Sequence, residues 1–422
     1  MDPSSNSSDT ESLVESLARE APSGAFNHAD PGHQEFVQET AARIHEEADP
    51  DLIERTLLPR REDFPLAMHL AAKLAKSRQV ITRLERPTKL SVVFAVYKEN
   101  HRLLTPEEHP AGEDFLRRKV AQLEWLATAS PKLSWELVAV DDGCPEGSGQ
   151  LIEDLAQSEN LSHVRVLRLA DALREKLPIA GNLRSTDESR KGGSILYGLW
   201  ETSQKQEAGV DHVVLFTDAD LSTHLGQAGL LLAPILNHGK DAVIGSRREA
   251  ASVVIKKGTR NLRGKLFIYL WKRMLSPALG NVVDTQCGFK AFRAESAQAI
   301  LHDLLERGFA FDVELLLKIE HRNPEGIAKA PIAWIDSEAE STTTALSPYL
   351  TMLRSIASMN RKYLPADPKS EAFVSFVESL DESQWNQLVE NVPDAIATRN
   401  PAHFGQFDEI SPNDLNAILQ DA

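Results

Sequence analysis

Cysteine is scarce in this chain, and long apolar runs are missing. Only two of the 422 residues are cysteines, Cys144 and Cys287, and they are far apart in sequence. Neither a zinc cage nor a disulfide framework is therefore expected, and a reducing, cytoplasmic compartment is the default. No window reaches the roughly eighteen apolar residues of a membrane span, and the N-terminus lacks the apolar core of a signal peptide.

Lysine and arginine are outnumbered by acidic residues. The formal net charge is -16, which argues against non-specific nucleic-acid binding. The exception is the basic segment 256–275, where Leu, Phe and Trp are interleaved with Lys and Arg. This spacing suits a helix in a membrane interface, so we expect peripheral contact with the inner membrane face through this segment. The alternative is that the apolar residues pack in a core and the cations are solvated.

The chain divides into four segments by pattern. Residues 1–30 are polar and are expected to be a disordered tail. Residues 31–88 carry apolar positions at three-to-four spacing, which predicts a helical extension. Residues 89–364 alternate β-branched apolar runs with helical segments, and residues 365–422 are predicted to form an acidic helical appendage.

The segment 89–364 has the pattern of βαβ units. Its short runs are apolar on both faces, which predicts a mainly parallel sheet flanked by helices and hence an α/β, Rossmann-like fold class with helical N- and C-terminal extensions. The runs are 90–96, 135–140, 164–169, 213–216 and 242–244. In such sheets, ligands bind beyond the carboxyl ends of the strands, and the acidic motifs of this chain fall there.

Asp218 and Asp220 give the strongest indication of chemistry. They follow the apolar run 213–216. Residues two apart in an extended chain project to the same side, so both carboxylates can face one divalent cation. An all-oxygen pair suits Mg²⁺ or Mn²⁺ rather than zinc, and such a cation stabilises charge on a departing diphosphate. The alternative is a pair of acids in a surface turn.

Two further motifs are suited to a nucleotide. Asp141 and Asp142 precede a glycine that permits a sharp turn, although an ordinary Asp-Gly turn would look the same. Lys191, Gly192 and Gly193 stand at a predicted helix start, where glycine lets the backbone approach a ligand and the N–H groups favour negative charge. The alternative for this second motif is a solvated basic turn.

Three motifs follow in the second half of the segment. Arg247 comes after a predicted strand, and its planar guanidinium matches phosphate oxygens, unless it forms an ordinary surface ion pair. The other two motifs are Asp284-Thr285-Gln286-Cys287-Gly288-Phe289-Lys290 and Phe311-Asp312-Val313-Glu314. The acids of the last motif could instead stabilise the dipole of their own helix.

In this order, the motifs resemble those of family 2 glycosyltransferases of the GT-A fold. Within that family they are most similar to the polyprenyl-phosphate and dolichyl-phosphate hexosyltransferases, and the Lys-Gly-Gly form is closer to the glucosyl branch. The resemblance covers residues 89–364 and includes the run 93–100 at the first strand. It implies an enzyme that transfers a hexose with inversion from UDP-glucose or GDP-mannose to polyprenyl phosphate.

The resemblance also implies roles for particular residues. Catalytic roles fall to Asp218, Asp220, Asp284, Gln286, Asp312 and Glu314, and the metal ligands are Asp218 and Asp220. Donor binding falls to Asp141, Asp142, Lys191, Gly192, Arg247 and Lys290. Cys287 is expected to be a small packed residue, because inverting transfer needs no thiol.

The acceptor is less defined than the donor site. A phosphate acceptor is already an anion and needs no strong base, whereas a hydroxyl acceptor would need one, and Asp284, Asp312 and Glu314 are the candidates. The acidic run 336–342 departs from the family pattern. A small soluble phosphate-bearing acceptor and a catalytically silent sugar-nucleotide-binding scaffold therefore stay open, as does the oligomeric state.

Overall fold

A seven-stranded sheet forms the centre of the molecule. The computed structural model describes residues 3–22, 26–255, 260–335, 347–406 and 408–420. The strands are β1 Thr88–Val96, β2 Leu133–Asp141, β3 Val164–Arg168, β4 Asp211–Thr217, β5 Ala242–Ser246, β6 Val253–Ile255, β7 Phe289–Arg293, β8 Ile327–Pro331 and β9 Ala333–Ile335. The sheet order is β3-β2-β1-β4-β7-β5-β8. Only β7 runs antiparallel to its neighbours, and β6 and β9 form a separate parallel pair.

Helices cover the sheet and extend the chain at both ends. The N-terminal helices are α1 Pro3–Glu20, α2 Pro31–Glu47, α3 Pro50–Leu57 and α4 Leu66–Thr82. The central helices are α5 Asn100–Leu103, α6 Phe115–Ala127, α7 Ser148–Ser158, α8 Leu169–Arg174, α9 Gly192–Ser203, α10 Ala228–His238, α11 Arg260–Met274, α12 Ala294–Ile300, α13 Phe311–Arg322 and α14 Ser347–Tyr363. The C-terminal helices are α15 Pro368–Ser379, α16 Glu382–Glu390, α17 Asp394–Ala397 and α18 Pro412–Gln420.

The predicted fold class is confirmed. All five apolar runs coincide with strands of the main sheet, and four of them are buried because helices cover both faces, whereas the edge strand β3 is half-buried. Strand β8 of the main sheet was not predicted, and neither was β7, which begins within the motif that starts at Asp284. Strand β7 is inserted antiparallel between β4 and β5, and Lys290 occupies one of its buried positions.

The N-terminal extension differs from the expectation at its start. Residues 3–20, expected as part of a disordered tail, form α1, whose Val14 and Leu17 are buried in a cluster with α2, α3 and α4. Asp30 is the N-cap of helix α2, and its side chain accepts hydrogen bonds from the backbone N–H groups of Gly32 and His33. Pro31 occupies the first helical position, where its missing N–H costs nothing.

The apolar side of α11 is covered by protein. Leu266, Leu270 and Trp271 are fully buried in a core cluster shared with α14 and the C-terminal helices, which contribute Phe373 and Trp385. The apolar residues of α11 from Leu266 to Met274 thus face protein, whereas Leu262 is exposed (45%), and the expected contact of segment 256–275 with a membrane stays a prediction. Residues 256–259 and the acidic run 336–342 lie outside the described residues. Within the described ranges, no helix is long and apolar enough to cross a membrane.

Helix α9 lies directly on the sheet at Gly198, which leads to a stability prediction. A Cβ atom at Gly198 would stand 2.3 Å from Val93 Cγ1 and 2.9 Å from Val140 Cγ2. Gly198→Ala should therefore lower the free energy of unfolding by about 1–3 kcal/mol, measured by urea denaturation. Gly405→Ala is the control, since a Cβ atom there would point into open space, with nothing within 4 Å. Equal stability of the two variants would contradict the close packing of α9.

Candidate functional site

The site lies at the carboxyl edge of the sheet, where β2 and β4 end on either side of β1. Asp141 is the last residue of β2 and Asp142 follows it, while Asp218 and Asp220 follow the end of β4. Parallel strands bring these ends to the same edge. The structure thus brings the first two acidic motifs together, as the sequence predicted.

The carboxylate of Asp142 ties the end of β2 to the start of α9. Its two oxygens accept hydrogen bonds from the Lys191 backbone N–H (2.8 Å) and the Ser194 hydroxyl (2.6 Å). Burial raises the pKa of Asp142. Lys191 has a positive φ of 86°. Gly192 is needed for packing, because a Cβ there would stand 2.1 Å from the Gly308 carbonyl oxygen.

Asp218 forms an ion pair with the Lys191 ammonium. About a third of the Asp218 side chain is exposed (32%). Burial acts to raise the pKa of Asp218, but Lys191, Arg247 and Lys119 outweigh it and hold the pKa below its usual value. Asp220 turns back on its own loop, and its Oδ1 accepts a hydrogen bond from the Ser222 N–H at 3.0 Å.

Lys119, a buried lysine that the sequence did not single out, binds the backbone of this acidic turn. The Lys119 ammonium on α6 donates to the carbonyl oxygens of Asp218 (3.0 Å) and Asp220 (2.8 Å). Lys119 is 0% exposed, and burial lowers its pKa to about 8, against the opposing effect of the two acids. The available signal was its place on the apolar stripe of α6, beside Phe115 and Val120.

Arg247 and Asp284 form a bidentate ion pair. Arg247 Nε donates to Asp284 Oδ2 at 2.9 Å and Nη2 donates to Oδ1 at 2.7 Å, while the Arg247 backbone N–H also reaches Oδ2. The guanidinium lies 5.2 Å from the centre of the Trp334 ring. Burial acts to raise the pKa of Asp284, but the guanidinium holds it well below its usual range. The pair joins the end of β5 to the segment before β7.

A second buried pair lies at the start of α13. Asp312 Oδ1 accepts from Gln286 Nε2 at 2.9 Å, and Oδ2 accepts from the Lys290 ammonium at 2.9 Å. Lys290 is fully buried, so it is neither solvated nor open to a phosphate in this conformation. Burial raises the pKa of Asp312, although Lys290 opposes the shift. Burial also raises the pKa of the Cys287 thiol to about 12, in keeping with a packed residue.

Two of the predicted site residues, Glu314 and Asp141, accept hydrogen bonds from protein groups outside the turn after β4. Glu314 is buried and accepts from the backbone N–H groups of Leu305 (2.7 Å) and Glu306 (2.8 Å) and from the Tyr363 hydroxyl. Residues two apart on a helix point to different sides, so Glu314 turns away from the partners of Asp312. Asp141 accepts from three backbone N–H groups of the turn and helix that follow it.

Asp218 and Asp220 suit a divalent cation whose remaining ligands come from the substrate. Among the residues that the structure describes, no group of three or more His, Cys, Asp or Glu side chains could hold a metal ion. Asp218 and Asp220 together offer two carboxylates, one of them already paired with Lys191. Mg²⁺ is commonly bound by one or two carboxylates plus substrate phosphates and water. The pair therefore fits that arrangement and does not form a complete protein cage.

Comparisons with known proteins give relatives that are named as glycosyltransferases. No family model matches the chain. A dolichyl-phosphate beta-glucosyltransferase of Trichomonas vaginalis is 25% identical over 296 residues, which cover 68% of this chain and 77% of that protein. An undecaprenyl-phosphate mannosyltransferase of Micrococcus luteus is 27% identical over 206 residues, covering 48% of this chain and 73% of that protein.

The predicted resemblance to family 2 glycosyltransferases is confirmed. The relatives also confirm the prediction that the chain is an enzyme of the glycosyltransferase class. A solved mannosyltransferase of Pyrobaculum calidifontis, in complex with GDP-Man and Mn²⁺, aligns over 91% of this chain and 98% of its own at 12% identity. Its TM-score of 0.36 is too low for the likeness to support an argument.

The depressed pKa of Lys119 predicts a pH dependence. In the unfolded chain this lysine titrates near 10.5 and in the folded protein near 8. Between these values the unfolded chain holds the extra proton, so the stability of the wild type rises with pH relative to a Lys119→Met variant. Urea denaturation at several pH values from about 8 to 10.5 measures this difference.

The control for this experiment is Lys205→Met, because Lys205 is largely exposed, at 68%. Its stability difference from the wild type should not change with pH over the same window. A flat difference for Lys119→Met as well would show that the ammonium beneath the acidic turn titrates normally.

Proposed function

We propose that the protein is an inverting, metal-dependent glycosyltransferase that moves a hexose from UDP-glucose or GDP-mannose to polyprenyl phosphate. The observation that carries this proposal is the convergence of Asp142, Lys191, Asp218 and Asp220 at one edge of the sheet. The names of the relatives, which act on dolichyl and undecaprenyl phosphates, support the acceptor class.

The charges at this edge match a nucleotide diphosphate. Asp220, with Asp218, would hold Mg²⁺ or Mn²⁺, which stabilises negative charge on the departing diphosphate. The Lys191 ammonium, which forms an ion pair with Asp218, lies beside the proposed cation position and would add a second positive charge. Asp141, Asp142 and Gly192 shape the turn and helix start on which the donor would lie.

The hydrogen bonds of Asp284 and Asp312 favour a phosphate acceptor over a hydroxyl acceptor. A hydroxyl needs a general base, but both oxygens of Asp284 are bound by Arg247 and both oxygens of Asp312 by Gln286 and Lys290. A phosphate oxygen is already an anion at neutral pH and needs only alignment. These acids would then hold the cations of the site in place and would not take a proton.

A small soluble acceptor that bears a phosphate is the second candidate. The observation in its favour is that the apolar side of α11 is buried under the C-terminal helices, with Leu266 and Trp271 fully covered. The same site would then perform the same transfer on a water-soluble phosphate.

A labelled-donor assay separates the two candidates. The full chain is incubated with radiolabelled UDP-glucose or GDP-mannose, Mn²⁺ and a short-chain polyprenyl phosphate, and the label is followed into the organic phase. Label in the organic phase supports the main proposal. Label that enters only a water-soluble phosphate supports the second candidate, and donor binding without transfer to either acceptor contradicts both.

Asp220 gives the sharpest mutational test of the metal role. Asp220→Asn should lower kcat at least about 100-fold, because the variant loses a carboxylate that would hold the cation, and the cation stabilises negative charge on the leaving group. The melting temperature should stay near that of the wild type, since the hydrogen bond of this side chain is to the Ser222 N–H of its own loop. Asp63→Asn, at an exposed residue (59%), is the matched control. Full activity of Asp220→Asn would contradict the assignment.

A further inference from the structure

A cleft beside the candidate site is built partly from the two extensions. It has a volume of about 430 Å³, within the range of ordinary ligand pockets. Arg61 comes from the turn between α3 and α4, and residues 398–401 come from the C-terminal extension. The remaining lining residues belong to the central segment, at the end of β5 and on α11, and include Arg247, Arg248, Ser252 and Lys265.

The cleft is strongly cationic in an otherwise acidic protein. It is lined by five cationic side chains and by one acid, Glu249, which already faces Lys329 at 3.4 Å. The cations come from separate parts of the fold. They are Arg61, Arg247, Arg248, Lys265 and Arg399. With the chain at a net charge of -16, this concentration of positive charge makes the cleft the natural place for an anion.

Three of the five cations have no acidic partner in the described part of the chain. Arg61 donates to the Ala250 carbonyl oxygen at 3.1 Å, and Lys265 donates to the Ala397 carbonyl oxygen at 2.6 Å. Arg248 forms no ion pair with any described residue, and burial lowers its pKa, although the charge of Asp284 opposes the shift. The positive charge of these three side chains is therefore not neutralised.

Arg247 connects the cleft to the acidic turn. It lines the cleft, it is held by Asp284, and it lies near enough to Asp218 to influence that carboxylate. A ligand in the cleft would therefore lie next to the position proposed for the donor diphosphate.

We propose that the cleft binds a phosphate monoester, with Arg61 and Arg248 as the principal ligands, and that this phosphate is the acceptor group of the reaction. Guanidinium groups bind phosphate oxygens with paired, charge-assisted hydrogen bonds. The acceptor assignment rests on the proposed function, whereas the binding of the anion does not. The extensions then have a role, because Arg61 and residues 398–401 complete the walls of the cleft.

Binding is measured by calorimetric titration of the full chain at low salt, without donor or metal. The probes are inorganic phosphate, glucose 6-phosphate and farnesyl phosphate. The wild type should bind all three, and the double variant Arg61→Gln/Arg248→Gln should bind each at least about tenfold more weakly, since each charged hydrogen bond is worth that much. Tighter binding of farnesyl phosphate identifies a lipid as the source of the phosphate, and equal binding of the two esters identifies a water-soluble acceptor.

Two variants keep the experiment decisive. Arg248→Lys retains the charge but not the paired hydrogen bonds, so it should bind more tightly than Arg248→Gln and more weakly than the wild type, which separates loss of the cation from loss of the fold. Arg174→Gln removes an exposed arginine (69%) outside the cleft and should bind like the wild type. Unchanged affinity in the double variant, or absence of binding by the wild type, overturns the proposal. Intact binding without any glycosyl transfer would instead remove the proposed function and leave the anion site.

Discussion

The site depends on the contacts that two lysines, the buried Lys119 and the half-buried Lys191, make with the turn after β4. Asp218 and Asp220 place two carboxylates on one short turn, where like charges repel each other. The Lys119 ammonium binds the carbonyl oxygens of both residues from below, and Lys191 pairs with the Asp218 carboxylate. Burial of Lys119 is unfavourable by itself, as its lowered pKa records, and the two carbonyl bonds offset that cost. The outcome is a turn whose acids are fixed in direction before any ligand arrives.

Pairing of charges between different elements organises the rest of the site. Asp284 binds Arg247 across from the end of β5, and Asp312 on α13 binds Lys290 on β7. Removing one partner of such a buried pair leaves an uncompensated charge, which is strongly destabilising. These acids therefore act as supports for the arrangement. Three cations without an acidic partner among the described residues, Arg61, Arg248 and Lys265, line the neighbouring cleft, where an incoming anion would meet them.

The sequence revealed the parts of the fold that depend on local pattern. The five apolar runs became strands because both faces of the sheet are buried, and the acidic motifs lie together because parallel strands end at one edge. Strand β7 was hidden, since its short run includes Lys290, whose burial makes sense only with Asp312 from α13. Lys119 was hidden for a similar reason, because its partners are carbonyl oxygens about a hundred positions along the chain. Helix α1 was hidden by its polar composition, and the burial of Val14 and Leu17 depends on other helices.

The basic segment shows a different limit of sequence pattern. An apolar face at helical spacing indicates that something must cover it, but lipid and protein satisfy the pattern equally well. In this chain the residues that pack on α11 include Phe373, Trp385 and others of the C-terminal extension, which lie about a hundred residues further along the sequence. Identification of the cover therefore required the tertiary contacts.

Binding of Mn²⁺, followed by electron paramagnetic resonance with and without a nucleoside diphosphate, tests the central claim most directly. The account predicts weak binding to the protein alone, because the turn after β4 offers two carboxylates and one of them is paired with Lys191, and much tighter binding when UDP or GDP is present. That gain should disappear in an Asp218→Asn/Asp220→Asn double variant. Tight binding without a nucleotide, or an undiminished gain in the double variant, would contradict the claim that these two aspartates and the diphosphate share one cation.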